Sequence, residues 1–140
     1  MNYDDLMISK ISKLSRLAPQ VMEKPLNLID ISMQEFRIIG LLIGEEGISQ
    51  KDLAKKLLVK PSTLSVAISK LEGKGYIDRE VSTIDKRINY LSLCDDIDLT
   101  EANNIVQSVE GTLTIGITKK DVEITKKVLN KMLKNLESKF

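Results

Sequence analysis

The 140-residue sequence contains no histidine and no tryptophan, and its only cysteine is Cys94. A single thiol excludes an intrachain disulfide and a thiolate metal cage within one chain. The lack of histidine removes the usual zinc sites and the Ser-His and Cys-His pairs of covalent catalysis. We therefore expect no metal ion and no cofactor, and we do not expect an enzyme.

Long apolar runs are also missing, since none approaches the roughly 18 to 20 residues that span a bilayer. Asp4 and Asp5 stand where a signal peptide would carry positive charge. We therefore expect a cytoplasmic protein that does not contact a membrane. The composition, 42% hydrophobic and 29% charged, is that of a folded domain that buries a core without disulfides.

Charge is present in nearly equal amounts of both signs, and the net value of +1 hides an uneven distribution. Residues 1–46 carry a net charge of −2, residues 47–90 of +4 and residues 91–140 of −1. A basic centre is expected if only the central segment faces a polyanion. An excess of this size also arises by chance, so that this pattern needs support from motifs.

The first helix signal is a series of apolar residues spaced three and four apart between Met7 and Val21. Pro19 should end or kink this helix near Ala18, because the proline ring removes a donor and crowds the preceding turn. Pro25 should close the region.

Two capping boxes, Ser32–Glu35 and Ser49–Asp52, predict the starts of the next two helices. Only residues 58–60 then precede Pro61, which suits a first helical residue because its missing N–H would be unpaired there. The helix that Pro61 begins should run to Gly73. Two helices joined by so short a connection predict a helix-turn-helix, although a plain helical hairpin has the same signature.

The helix that begins at Pro61 has two different faces when its residues are placed at about 100° intervals. Four apolar residues cluster on one side and should be buried: Leu64, Ala67, Ile68 and Leu71. The opposite side contains Ser62, Val66, Ser69 and Gly73, flanked by Thr63, Ser65 and Lys70. Because this side is small, hydroxylated and nearly free of negative charge, it can enter a groove closely. A solvated or protein-facing surface is the alternative.

Residues 76–81 and 88–93 are rich in β-favouring side chains and predict two strands. The segment between them reads STIDKR and would form the tip of a hairpin. Helix, turn, helix and hairpin together predict a winged helix-turn-helix over residues 32–97. The expected fold class is therefore mainly α with a small β-hairpin wing.

Residues 1–31 and 98–140 lie outside this domain and carry apolar stripes at heptad-like spacing. A helix should follow Asp98, Gly116 should end it, and Thr118 should cap a final helix. The stripes need a partner surface, either within the monomer or on a second chain in an isologous dimer. We expect dimerisation helices, which would present two reading helices to half-sites about 34 Å apart on DNA.

Four motifs occur together in a fixed order: SQKDLA at 49–54, PSTLS at 61–65, LEGKG at 71–75, and Arg79 followed by DKR at 85–87. In these motifs the sequence resembles the MarR family of winged-helix regulators, and the resemblance covers nearly the whole chain. It implies a dimer with the terminal helices at its apex, a reading helix in the major groove of double-stranded DNA and a wing tip in the minor groove. It also implies a small phenolic or other anionic effector that relieves repression, whose binding residues the sequence does not identify.

The resemblance carries the wing tip onto Asp85, Lys86 and Arg87. It implies that Arg87 enters the minor groove, that Lys86 neutralises phosphate, and that Asp85 orients Arg87 or Arg79 through a charge-assisted bond. An exposed turn rich in charge is the alternative. The further candidates are Ser62, Thr63, Ser65, Val66 and Ser69 for the major groove, and Lys51, Lys60 and Lys70 for phosphates.

Two residues depart from the family pattern. The family often has an arginine at the position of Val66, whereas valine can offer only an apolar contact such as one with a thymine methyl group. Cys94 stands in place of a threonine, and we expect a small apolar residue at a strand end rather than a redox switch.

The function expected from all these features is that of a homodimeric DNA-binding transcriptional regulator, a repressor of MarR type that binds a pseudo-palindromic operator. The alternative is a winged helix that docks a protein partner and does not bind DNA sequence-specifically.

Overall fold

The computed structural model describes residues 1–45 and 47–140. In these residues the chain forms six α-helices and three β-strands, after a short 3₁₀ helix at Tyr3–Asp5. The elements, in chain order, are α1 (Met7–Leu28), α2 (Met33–Gly44), β1 (Ile48–Ser49), α3 (Gln50–Leu57), α4 (Pro61–Gly73), β2 (Ile77–Val81), β3 (Asn89–Leu93), α5 (Thr100–Leu113) and α6 (Lys119–Glu137). The predicted class, mainly α with a small β wing, is confirmed.

The chain divides into two compact units, Met1–Ile105 and Val106–Phe140. The first unit contains α1, the whole helix-turn-helix and the sheet. The second unit contains the later turns of α5 and all of α6. The N-terminal helix therefore shares a compact unit with the winged helix.

The core of the first unit is built around α4, whose four predicted inward residues are all buried: Leu64, Ala67, Ile68 and Leu71. Helices α2 and α3 pack against α4 and contribute buried side chains that include Ile38, Leu42 and Leu53. Burial of each such side chain contributes roughly 1.5–3 kcal/mol relative to its exposure. Apolar packing therefore fixes the inner face of α4 and leaves its outer face free.

The sheet is antiparallel, with strand order β1-β3-β2. Strands β2 and β3 form the expected hairpin, in which Ile77 faces Leu93 and Val81 faces Asn89. The prediction of two strands was incomplete, because Ile48 in β1 pairs with Leu91 on the other edge of β3. A strand of two residues shows no alternation, and its pairing is made with a segment more than 40 positions away.

The predicted helix starts at Ser32, Ser49 and Thr118 are present. Ser32 and Glu35 form the complete capping box, since the Ser32 Oγ accepts the Glu35 N–H at 3.1 Å and Glu35 Oε1 accepts the Ser32 N–H at 3.0 Å. Ser49 and Thr118 each accept one backbone N–H through their hydroxyl oxygens, at 3.1 Å. These bonds satisfy donors that the first turn of a helix leaves unpaired.

Pro19 was expected to end or kink α1 near Ala18, and Pro25 to close the region. Neither proline ends the helix, because α1 continues through both to Leu28. An internal proline removes one helical hydrogen bond and costs about 3 kcal/mol or more. The last two turns of α1 bury Met22 and Leu26, which are 8% and 0% exposed. The burial of these two side chains offsets the cost of the internal prolines. The sequence shows the prolines but does not show this tertiary packing.

Apolar side chains on the terminal helices remain exposed in the single chain. Helix α6, which is described over its full length, contains no buried residue. Its Leu133 and Leu136 are 55% and 63% exposed, and Leu14 in α1 is 52% exposed. Among the described residues, no helix is both long enough and apolar enough to cross a membrane.

Candidate nucleic-acid interface

The connection between α3 and α4 is a tight turn of three residues, as predicted. Leu58 adopts a left-handed conformation with φ of 56°, and its N–H points back to the carbonyl groups of Ala54 and Lys55. Val59 donates its N–H to the Ala54 carbonyl at 3.1 Å. Lys60 then takes the extended conformation of an N-cap, and Pro61 occupies the first turn of α4. The turn thus reverses the chain directly into the start of α4.

The outer face of α4 carries most of the residues that were predicted for a major groove. Of these, Ser62, Thr63, Val66 and Ser69 are exposed, and Ser65 is half-buried. Val66 is 59% exposed and is the large apolar side chain on this face. The predicted phosphate contacts Lys51, Lys60 and Lys70 are exposed as well. The structure thus presents short hydroxyl side chains outward, with cations around them.

The wing tip is an ordered turn between β2 and β3. Ser82 donates its N–H to the Ile88 carbonyl at 2.9 Å, and Ile88 donates its N–H to the Asp85 carbonyl at 3.0 Å. The Ser82 Oγ accepts the N–H groups of Ile84 and Asp85, both at 3.2 Å. A serine that bonds to nearby backbone in this way stabilises a local turn. The conformation of the tip is therefore set within its own seven residues.

Arg87 is held at this tip by a two-pronged contact with Asp85. The Arg87 Nε lies 3.0 Å from Asp85 Oδ1, and Nη2 lies 3.0 Å from Oδ2. Asp85 Oδ1 also accepts the Arg87 backbone N–H at 3.0 Å. The side-chain bond with Arg87, followed by the backbone bond, lowers the pKa of Asp85, and the same side-chain bond raises the pKa of Arg87. Both groups are charged near neutral pH, and the guanidinium is oriented while 90% of the side chain stays exposed.

Asp85 therefore pairs with Arg87, whereas Arg79 lies elsewhere. Arg79 sits in the middle of β2, opposite Leu91, and its Nη2 is 3.8 Å from Glu72 Oε1 on α4. Its side chain is 22% exposed. Lys86, between the two members of the wing pair, is exposed. Arg79 thus joins the hairpin to α4, and Asp85 orients Arg87 at the wing tip.

An open cleft brings the separate parts of the candidate interface together. It is lined by Lys51 from the start of α3, by Pro61 from the start of α4 and by Arg87 from the wing. Asn89 and Tyr90 of β3 line the same cleft, and the sequence reasoning did not select them. Their signal was hidden because they lie in a strand predicted for its β-favouring residues. Within the first unit, Arg87 of the wing therefore lies close to the starts of α3 and α4.

Cys94 lies half-buried after β3. Burial, together with a hydrogen bond to Asp78 and the nearby carboxylates of Asp95 and Asp96, raises the pKa of its thiol. A raised pKa disfavours the thiolate, which is the reactive form. The surroundings of Cys94 therefore do not activate its thiol.

Comparison with known proteins gives a family match over part of the chain and the same fold over nearly all of it. Residues 31–88 match the sequence model of the MarR family. The regulator BldR from Sulfolobus solfataricus is 26% identical, with a TM-score of 0.81 over 96% of this chain and 99% of that chain. MepR of S. aureus, solved as a complex with DNA, is 28% identical, with a TM-score of 0.75 over 93% of this chain and 98% of that chain. A MarR transcriptional regulator from Methanosarcina mazei Go1 is 24% identical, with a TM-score of 0.79 and coverages of 91% and 94%.

The matched segment extends from the start of α2 to the wing tip and contains all four sequence motifs. The similarity in fold extends well beyond this segment, since each of these solved regulators covers more than nine-tenths of the chain. Residues 31–88 therefore carry the sequence pattern of the MarR family, and the chain shares its fold with solved transcriptional regulators.

Proposed function

We propose that this protein is a homodimeric DNA-binding regulator, a repressor that binds a pseudo-palindromic operator. The observation that carries the proposal is the cleft in which Lys51, Pro61 and Arg87 meet. Because the reading helix α4 and the wing adjoin this cleft, one protomer can contact a major groove and the following minor groove together. The DNA complex of the relative MepR supports double-stranded DNA as the partner.

Within this proposal, Arg87 enters the minor groove and Lys86 contacts a phosphate. A narrow groove over A·T-rich DNA concentrates negative potential and attracts an inserted arginine. Asp85 and Arg79 keep the roles of wing-orienting residues, Asp85 through its bond to Arg87 and Arg79 through its approach to Glu72. The hydroxyl residues of α4 supply few two-pronged contacts to bases. We therefore assign a larger share of the specificity to DNA shape than to direct readout.

Residues 1–31 and 98–140 hold the dimer in this proposal, and residues 32–97 read the DNA. The exposed apolar stripes of α1 and α6 support this division, because monomeric proteins rarely leave contiguous apolar surface uncovered. A two-fold axis then places two α4 helices about 34 Å apart, one turn of DNA. A DNA partner also implies a cytoplasmic location. A phenolic or other anionic effector that releases the DNA is part of the proposal through the family resemblance.

The test is binding of the purified protein to duplexes that cover the region upstream of its own gene. Arg87→Ala should weaken operator binding roughly tenfold or more, because a charged contact in the groove is lost. Folding and dimerisation should not change, since Arg87 is 90% exposed. Fluorescence anisotropy at moderate salt measures the affinity, and circular dichroism measures the fold.

The matched control is Arg37→Ala, which removes the same charge from an exposed position on α2 that does not line the cleft. This variant should bind the operator as the wild type does. Equal affinities of the two variants would show that the wing assignment is wrong. Absence of specific binding by the wild type to any duplex, with a folded protein, would favour the protein-docking alternative.

A further inference from the structure

An ion pair between a buried carboxylate and a partly exposed ammonium links the end of α4 to the start of α2. Lys74 Nζ lies 2.9 Å from Oε2 and 3.1 Å from Oε1 of Glu35. The same ammonium donates to the Asp30 carbonyl oxygen at 2.7 Å and lies 3.6 Å from Asp30 Oδ2. The Glu35 side chain is 5% exposed and that of Lys74 27%. Three acceptor groups from two residues thus surround one ammonium group.

Each member of this cluster occupies a fixed point of the backbone. Glu35 is part of the capping box of α2, so its carboxylate is already held by the Ser32 N–H. Asp30 lies just beyond α1 and has a φ of 57°, a conformation that few non-glycine residues adopt. Lys74 is the residue directly after α4, and Gly75 then turns the chain with a φ of 83°. The cluster therefore connects the ends of α1 and α4 with the start of α2.

Apolar packing already provides most of the attachment of α4, through Leu64, Ile68 and Leu71. A buried ion pair adds little net stability, because the desolvation of both charges offsets their attraction. Burial alone would raise the pKa of Glu35, but the hydrogen bonds from Lys74 and Ser32 outweigh it and lower that pKa. Burial likewise acts to lower the pKa of Lys74, and the contacts with Glu35 and Asp30 raise it. Both groups are therefore ionised at neutral pH.

The ion pair can instead restrict the angle at which α4 packs against α2 and the end of α1. A helix of 13 residues is about 20 Å long, so that a tilt of about 5° moves its far end by roughly 2 Å. Apolar contacts tolerate small rotations because they are not directional. Hydrogen bonds from one ammonium to acceptors on two segments permit much less.

We propose that Glu35 and Lys74, with the Asp30 carbonyl, form a positioning cluster that fixes the angle of α4 against the end of α1. Through α1, the cluster determines the spacing of half-sites that the dimer accepts. This inference rests on the proposed function, in which α1 belongs to the dimer contact and α4 enters the major groove. Neither Glu35 nor Lys74 needs to touch DNA for this role.

The test compares three duplexes that contain the operator found upstream of the protein's own gene: the native half-site spacing, one base pair more and one base pair fewer. The wild type should prefer the native spacing by roughly tenfold or more, since one added base pair both lengthens and rotates the site. Lys74→Met keeps the length of the side chain and removes the charge. Its preference should fall to about threefold or less, while its binding to a random duplex stays the same.

Glu35→Gln provides a second variant, because an amide oxygen can still accept the Ser32 N–H and keep the cap. It should lose the spacing preference to the same extent. The double variant should lose no more than either single variant, as is expected when both residues act through one contact. The matched control is Lys56→Met, which breaks an exposed ion pair with Glu45 in the same winged helix. It should keep the wild-type preference.

Folded Lys74→Met and Glu35→Gln variants with an unchanged spacing preference would overturn the inference. So would a uniform loss of affinity for all duplexes, or the unfolding of both variants, because either result would mean a purely structural role. A wild type that binds no operator at all would instead refute the proposed function. The two failures are therefore separate.

Discussion

Helices α4 and α6 each carry an apolar stripe, which is buried within the single chain in α4 and exposed in α6. The inward-facing apolar residues of α4, which are Leu64, Ala67, Ile68 and Leu71, are at most 8% exposed, whereas Leu133 and Leu136 of α6 are 55% and 63% exposed. The apolar face of α4 meets α2 and α3 in the first unit. The comparison shows that an apolar stripe identifies a surface that will be covered, but does not say whether the cover lies on the same chain.

The largest effect on stability should come from a change in the buried apolar face of α4. Leu64→Ala should lower the free energy of unfolding by about 2–5 kcal/mol, because it leaves a cavity beneath α4. Thermal and urea denaturation of the full chain measure this change. The matched control is Leu58→Ala, since Leu58 is 92% exposed and six residues away. Similar losses in both variants would contradict the assignment of Leu64 to the core.

A charge placed in the exposed apolar stripe of α6 should weaken dimerisation and should leave the folding of the winged helix unchanged. Leu133→Asp places a charge in the exposed apolar stripe of α6 and should raise the dissociation constant of the dimer roughly a hundredfold, or about 2.7 kcal/mol. Analytical ultracentrifugation measures this constant. Asn135→Asp introduces the same charge at an exposed position two residues from Leu133, on the other side of the helix, and should leave the dimer intact. If the wild type is monomeric, or if the two changes have equal effects, the apolar stripes do not form a dimer interface and pack within one chain instead.

The smallest effect should come from removing one positive charge from the basic centre, residues 47–90, which differs in net charge from the acidic ends of the chain. Lys60 is the exposed N-cap residue of α4. Lys60→Ala should reduce the slope of log affinity against log salt by about 0.9, the value for one lost phosphate contact on duplex DNA. Titrations at several salt concentrations measure the slope. Lys55→Ala, an equal loss of charge on α3, should leave it unchanged, and an unchanged slope in Lys60→Ala would remove Lys60 from the interface.

Local signals in the sequence predicted the helix starts well. Ser32, Ser49 and Thr118 accept N–H groups from residues three positions further on, so the bond and its partner lie in the same short window. The inner face of α4 was also predictable, because it follows from helical periodicity alone. The continuation of α1 through Pro19 was not predictable, because the cost of the proline is offset by the burial of Met22 and Leu26 in the last turns of the helix.

The candidate interface divides in the same way. The pairing of Asp85 with Arg87 spans two residues, and the neighbouring Ser82 orders the turn that makes it. The participation of Asn89 in the cleft was not foreseen, because it depends on how the hairpin lies beside the starts of α3 and α4.

By itself, the sequence determined the caps, the two faces of α4 and the charged wing tip, because each of these depends on residues within about one or two turns of one another. Tertiary structure decided the third strand, the length of α1 and the ion pair of Glu35 with Lys74, whose partners are 39 positions apart. Such contacts form only after the chain has folded back on itself. Their energies depend on burial and on direction, which no local pattern specifies.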